Sequence, residues 1–278
     1  MYKVTENRTK IGSVLVTGGT GFLGIHLVKK LLKRYTDITV RTISRNENEV
    51  QKAIRIFNSE RVEPIVADIR DSNPLKDTVK GIDCLIHLAA MKHVDLCEMD
   101  SLEATSINVV GTINLLNLFD GNTFIGMSTD KALEPKGCYG ATKLLLEKLI
   151  IEKAKYHQDR RYVIVRSGNI LGSSGSVVDK WVDQIRQRNE IVATRLKMTR
   201  FFIDADSLTD FMLEVMEHGE TGKVYVPFQK ALELKDLAEA VILLIGNKNT
   251  KIREVGLRPG EKEHEVLFLS DERKNVVT

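Results

Sequence analysis

Tyr139 and Lys143 stand four residues apart at the head of a helical pattern. At that spacing two side chains share one helix face, one turn apart. A free tyrosine has a pKa of about 10 and is a poor base near neutrality. An ammonium beside it, together with a bound cationic cofactor, favours the phenolate and lowers that pKa. A tyrosine so placed is a usable general base. Just upstream, Ser128-Thr129-Asp130-Lys131 add hydroxyls, a carboxylate and an amine. Proton transfer is the chemistry this set supports; the plainer alternative is a polar strand end followed by a surface helix.

Such residues need a scaffold to hold them. The apolar run at 124–127 ends where the polar set begins, so it reads as a strand emptying into a loop, with a helix over 139–156 after it. Strands are also expected at 13–16, 38–43, 62–68, 82–88 and 162–166, and a long helix over 101–118. Alternating strands and helices imply an α/β, Rossmann-type doubly wound parallel sheet with right-handed crossovers. After residue 167 the rhythm changes. A glycine- and serine-rich loop comes first, then helices near 178–188, 207–218 and 234–245 and a short strand at 223–227. The expected division is a dinucleotide-binding domain over 1–167 and a small C-terminal substrate lobe over 168–278 that interleaves with the last sheet strands.

Between the first strand and the Leu23, Leu27, Leu31 helix lies Thr17-Gly18-Gly19-Thr20-Gly21-Phe22-Leu23-Gly24. Glycines let the backbone approach a pyrophosphate, and a helix N-terminus favours its charge. Gly18, Thr20, Gly21, Phe22, Leu23 and Gly24 are the expected contacts; a ligand-free glycine turn is the alternative. At the end of the second strand an NAD enzyme commonly carries an acidic residue for the ribose. Here Ser44-Arg45 stand instead, and a guanidinium with a hydroxyl suits a 2′-phosphate. NADP is therefore expected in preference to NAD, against the reading of Arg45 as a solvent-facing residue beside Glu47 and Glu49.

The 278-residue chain carries a net charge of +3, with 42% hydrophobic and 28% charged residues. That suits a soluble globular protein and offers no electrostatic footprint for nucleic acid or membrane. Its three cysteines, Cys84, Cys97 and Cys138, lack metal or redox spacing, and a reducing, cytoplasmic setting is expected. The first ten residues are too polar for a signal peptide. His87 and His93 find no third ligand at credible spacing, so no metal is expected.

Tyr-x-x-x-Lys preceded by Ser-Thr-Asp-Lys resembles the extended short-chain dehydrogenase/reductases, and among them the UDP-N-acetylglucosamine 4,6-dehydratases, including the inverting ones of pseudaminic acid synthesis. The resemblance spans about 14–265. It implies that Asp68 and Ile69 meet the adenine, that Ala89 and Ala90 leave room for the cofactor, and that Lys92 faces the site. It also implies that Asn108 positions the lysine through water, although an ordinary buried amide fits that position equally. The substrate contacts it implies are Lys92, Asn169, Val177, Thr199, Arg200, Arg258 and Glu261, with Arg258 the leading diphosphate partner.

The implied mechanism gives Tyr139 the C4 hydroxyl proton, Lys143 the nicotinamide ribose, Thr129 the C4 oxygen, Lys131 the C5 proton and Asp130 the proton for the departing C6 oxygen. Lys131 has to be neutral for part of that cycle. The chain departs from the family where Ser167 replaces a tyrosine and Ser174 an arginine, where Arg195 replaces an aspartate, and in a short run after the Arg-Pro-Gly-Glu motif. The expected partners are a UDP-N-acetylhexosamine substrate and further copies of the chain in a homo-oligomer, with neither nucleic acid nor membrane. The alternative activity is a 5-epimerase or 5,6-alkene-processing partner enzyme. A 4-epimerase or a non-catalytic NADP-binding regulator fits the residues less well.

Overall fold

A computed structural model describes residues 11–270 and Glu272; the polar stretch 1–10 lies outside the described residues. The chain alternates strand and helix from its start: β1 (Ser13–Thr17), α1 (Phe22–Arg34), β2 (Thr39–Ser44), α2 (Glu47–Phe57), β3 (Val62–Val66), α3 (Ser72–Val79) and β4 (Cys84–His87). Next come α4 (Val94–Met99), α5 (Ser101–Thr105), a π-helical turn over Ser106–Val110 and α6 (Gly111–Leu118). β5 (Thr123–Thr129) leads through a 3-10 turn (Asp130–Ala132) to α7 (Cys138–Tyr156) and β6 (Arg161–Ser167). The remainder holds β7 (Asn169–Ile170), α8 (Val177–Arg188), β8 (Glu190–Ala193), β9 (Thr199–Ile203), α9 (Ala205–His218), β10 (Val224–Tyr225), β11 (Lys230–Glu233), α10 (Leu234–Ile245) and β12 (Lys251–Glu254).

Among the described residues the main sheet has seven strands in the order β10-β6-β5-β4-β1-β2-β3, every pairing parallel. This is the α/β doubly wound sheet the alternation predicts. Side chains alternate across a strand, so Val14 and Val16 enter one core with Leu27, Leu31 and Met212. Leu15 enters the other with Leu75, Leu115 and Leu146. Leu27 and Leu31 are fully buried, each contributing about 1.5–3 kcal/mol. The strand order reverses between β1 and β4, and ligands of such sheets bind outside the carboxyl ends at that point.

The helix expected over 101–118 forms as α5, the π turn and α6 in unbroken succession. The π turn within it is a feature that inserts extra backbone and often marks functional sites. Apolar periodicity does not register one extra residue, so the sequence reads through it.

The later chain forms a lobe with its own core, centred on Trp181, Ile191, Met198 and Leu234, while β10 returns to the edge of the main sheet beside β6. Arg166 fixes the tail beneath. Its buried guanidinium pairs with Glu147 at 2.8 Å and Glu272 at 2.9 Å and donates to the Leu267 carbonyl at 3.0 Å. A pair this buried costs about 3–5 kcal/mol to break from one side.

Candidate active site

A cavity of about 910 Å³ opens at the carboxyl ends of β1, β4 and β5 and runs beneath the lobe. Thr129, Lys131, Tyr139 and Lys143 all line it. β5 ends at Thr129, the tight turn carries Lys131, and α7 presents Tyr139 and Lys143 from its first two turns. Lys143 Nζ donates to the Met127 carbonyl at 2.8 Å, so its ammonium is anchored to β5 instead of swinging free. Burial lowers the Lys143 pKa to about 8, with Glu147 opposing.

Tyr139 shows the reverse of the expected trend. Burial, and after it the Asp130 carboxylate, push its phenol upward, while a hydrogen bond from Thr129 acts the other way. The upward shift favours the protonated phenol. Lys143, whose Nζ donates to Met127, does not offset that rise.

Asp130 is fully buried and is not among the residues lining the cavity. Its Oδ1 accepts from Lys131 Nζ at 2.9 Å and from the Thr129 hydroxyl at 3.0 Å. Its Oδ2 has no hydrogen-bond partner. Lys131 and Thr129 therefore stand between Asp130 and the cavity, and a proton exchanged between Asp130 and a ligand passes through one of these two groups.

At the other end, Gly18, Thr20, Gly21, Phe22, Leu23 and Gly24 line the same cavity. Gly18 has φ +69°, and a Cβ there would lie 2.9 Å from the Ala89 backbone nitrogen; a Cβ on Gly24 would strike the Gly18 carbonyl. Glycine is required at both positions. No side chain caps α1 and its first turn has no acid, which leaves its amide donors for an anion. Ser44, Arg45, Asp68, Ile69, Ala89 and Ala90 continue the wall. This cradle fits a dinucleotide.

Two details at this end were not legible beforehand. Asp68 is paired to Arg70 at 2.6 Å. Glu103 bridges Arg70 at 2.7 Å and Arg45 at 3.2 Å. Asn108 does not line the cavity. Its amide exchanges hydrogen bonds with the Met91 backbone at 2.8 and 2.9 Å and donates to Thr142 at 3.0 Å, the arrangement of a buried amide that shapes the loop after β4. His87 is likewise enclosed, between Thr17 at 2.7 Å and Thr112 at 3.0 Å, and burial lowers it to about 3.

On the lobe side, Lys92, Asn169, Val177, Arg200, Arg258 and Glu261 reach the cavity. Lys92 donates to the Ser174 carbonyl at 3.1 Å, tying the loop after β4 to the glycine/serine loop. Arg200 is largely spent on the backbone, donating to the carbonyls of Thr199, Lys262 and Glu263. Arg258 is exposed, and the Glu261 carboxylate accepts from its backbone amide at 3.1 Å. Thr199 lies off the cavity wall, 2.8 Å from His264. Arg195 does not substitute for an arginine at position 174. It pairs with Glu263 at 3.1 Å and stands away from the cavity.

The most consequential residue missed is Glu265, buried, on the cavity wall and 3.9 Å from Lys131. In sequence it is one acid in the run Glu261-Lys262-Glu263-His264-Glu265, and nothing local distinguishes it from its solvated neighbours.

Residues 14–278 match the model of a family described as polysaccharide biosynthesis protein. A protein of Methanocaldococcus jannaschii, named as an uncharacterized membrane protein, is 35% identical over 287 residues, covering 99% of this chain and 86% of its own. In the present chain, no helix among the described residues is long and apolar enough to cross a membrane. A UDP-glucose 4-epimerase of Rickettsia bellii is 35% identical over 268 residues, or 94% of this chain and 78% of that one. The X-ray structure of Pen from Bacillus thuringiensis superposes with a TM-score of 0.90 at 32% identity, covering 95% of this chain and 82% of that chain. With its family match extending from β1 to the last residue, the chain belongs to the polysaccharide biosynthesis protein family and is an enzyme of the extended short-chain dehydrogenase/reductase superfamily.

Proposed function

We propose that the protein is a UDP-N-acetylhexosamine 4,6-dehydratase that uses NADP. The observation that carries this reading is Lys131 on the wall of the cavity that Tyr139 and Lys143 also line, with the buried Asp130 carboxylate 2.9 Å from its Nζ. Oxidation at C4 alone needs only the tyrosine and lysine; elimination across C5–C6 needs a second acid–base system.

Tyr139 Oη takes the proton of the C4 hydroxyl, with Thr129 holding the same oxygen. A nicotinamide held by the glycine turn and Lys143 would supply a hydride acceptor for C4 and a hydride donor for C6. The C4 ketone acidifies C5, whose proton passes to Lys131 Nζ, and the C5–C6 double bond forms as the C6–O bond breaks. The starting state is the tautomer of the pair with the proton on Asp130 and a neutral Lys131 amine. The pair takes one proton from C5 and releases one to the departing oxygen through Lys131, leaving water and the ion pair. Moving the proton back across 2.9 Å resets it. Return of a proton to C5 from the opposite face gives the inverting outcome associated with pseudaminic acid synthesis, and we include it in the proposal.

The test is incubation of the purified protein with UDP-N-acetylglucosamine in deuterated water, followed by proton NMR. A new C6 methyl signal with deuterium at C5 is expected. A second reading, 4-epimerisation, has support from the names of the Rickettsia relatives. It yields the C4 epimer with C6 still hydroxylated, and that spectrum would refute the dehydratase. Exchange or inversion at C5 of a 4-keto-6-deoxy sugar, with UDP-N-acetylglucosamine untouched, would move the assignment to the 5-epimerase alternative.

NADP preference rests on Ser44 and Arg45, both on the cavity wall. Arg45→Ala is expected to weaken NADP binding by roughly ten- to a hundredfold, the value of a charge-assisted hydrogen bond of about 1.5–3 kcal/mol, and to leave NAD nearly unaffected. Because the Arg45 side chain is 54% exposed, the loss should shrink as salt is raised. Titration of both cofactors by calorimetry decides this; equal losses for the two count against a 2′-phosphate contact.

A further inference from the structure

The segment that carries Arg258 and Glu261 also reaches back to the turn that carries Lys131. Glu265 Oε1 is 3.9 Å from Lys131 Nζ, and Glu265 Oε2 is 2.6 Å from Lys262 Nζ. Lys262 in turn donates to the Leu133 carbonyl at 2.7 Å, at the end of the 3-10 turn. Four charged groups, in the order Asp130, Lys131, Glu265 and Lys262, thus form a row of alternating sign, mostly out of solvent. In that setting a long-stemmed ammonium is held by its counter-ions, since partial desolvation strengthens each contact. Asn169 Oδ1, 3.5 Å from Lys131 Nζ, completes the enclosure.

We infer that Glu265 is the positioning residue for Lys131: it holds the amine at the cavity wall for C5, and through the 258–265 segment it makes that position depend on a seated nucleotide sugar. Among the described residues of the tail, the other acids are engaged elsewhere, Glu272 with Arg166. Glu263 is occupied with Arg195, and Glu261 accepts from the Arg258 amide. Asp130 by itself fixes the ammonium from behind, as an immediate neighbour in sequence. Glu265 adds a second, independent point and sets the direction of the Nζ. The inference requires only that Lys131 act at C5, a step shared by the dehydratase and the 5-epimerase readings.

Glu265→Gln keeps the shape and removes the charge. On mixing with UDP-N-acetylglucosamine, the variant is expected to oxidise C4 at close to the wild-type rate, because Tyr139 and Lys143 are untouched. Reduced-nicotinamide absorbance should then accumulate, which the wild type does not show, while methyl product forms roughly ten- to a hundredfold more slowly. KM should change little, and Glu265→Asp should restore part of the rate. A purely structural role would slow oxidation and elimination together; that result, or no change in either, overturns the inference.

If the single variant does not fold, Glu265→Gln combined with Lys262→Gln removes one charge of each sign and is read in the same way. If the wild type itself makes no methyl product, the dehydratase reading has failed. Glu265 is then judged by C5 hydrogen exchange on a 4-keto-6-deoxy UDP-sugar, with the same loss expected in the variant and unchanged exchange overturning the proposal.

Discussion

The Tyr139→Phe protein is expected to bind its cofactor normally and to lose roughly 10²–10⁴-fold in turnover, the usual contribution of a positioned general base. Only the phenol oxygen is removed, and the ring still fills its place at the head of α7. Cofactor binding should survive because Lys143 does not depend on the phenol for its position: Met127 anchors it at 2.8 Å. The loss should be large because the phenol oxygen is the atom that takes the C4 hydroxyl proton, even though burial and the Asp130 carboxylate push its pKa upward. A group so placed acts only when bound cofactor and substrate oppose that shift, and no water at this position would receive the same help. Single-turnover measurement of C4 oxidation, beside a cofactor titration, checks both halves. Turnover near the wild-type rate would remove Tyr139 from the role of base.

A second large effect is expected at Asp130, and it should be selective. Asp130→Asn preserves shape and can still hydrogen-bond Lys131, yet it cannot hold the proton that leaves with the C6 oxygen. Elimination should slow by roughly 10²–10⁴-fold, while C4 oxidation and exchange of the C5 hydrogen with solvent continue. The buried position of Asp130 sharpens the expectation. It touches no cavity occupant, so substrate affinity should hardly move, and any change belongs to proton transfer through Lys131. Proton NMR in deuterated water separates the outcomes: deuterium at C5 without a methyl signal is expected. A variant that makes methyl product at the wild-type rate would show that Lys131 serves elimination without Asp130.

The two variants also divide the mechanism. Tyr139→Phe stops the sequence before C4 is oxidised, whereas Asp130→Asn and Glu265→Gln act after it. Accumulation of reduced cofactor is expected only in the later-acting variants.

Features set by short-range spacing could be read from the sequence. Tyr139 and Lys143 share a helix face because four residues make about one turn. Gly18 and Gly24 occupy backbone positions that admit no side chain, and the strand before them and the amphipathic helix after them fix the turn locally. Alternating strand and helix patterns led to the parallel sheet, and the sheet put the carboxyl ends of β1, β4 and β5 at one crevice. Each of these is a consequence of backbone geometry over a few residues.

What the sequence could not supply was the identity of neighbours brought together by packing. Glu103 between Arg45 and Arg70, Arg195 turned toward Glu263, and Arg200 occupied with backbone carbonyls all depend on where separate elements come to rest. So does the burial of Asp130, which looks as solvent-ready in sequence as Lys131 beside it. Glu265 is the clearest case: it meets Lys131 only because the tail folds back under the lobe, held by Lys262 on Leu133 and by Arg200 on the backbone of residues 262–263. A charge gains its meaning from the counter-charge and the solvent it is left with, and both are set by tertiary contact.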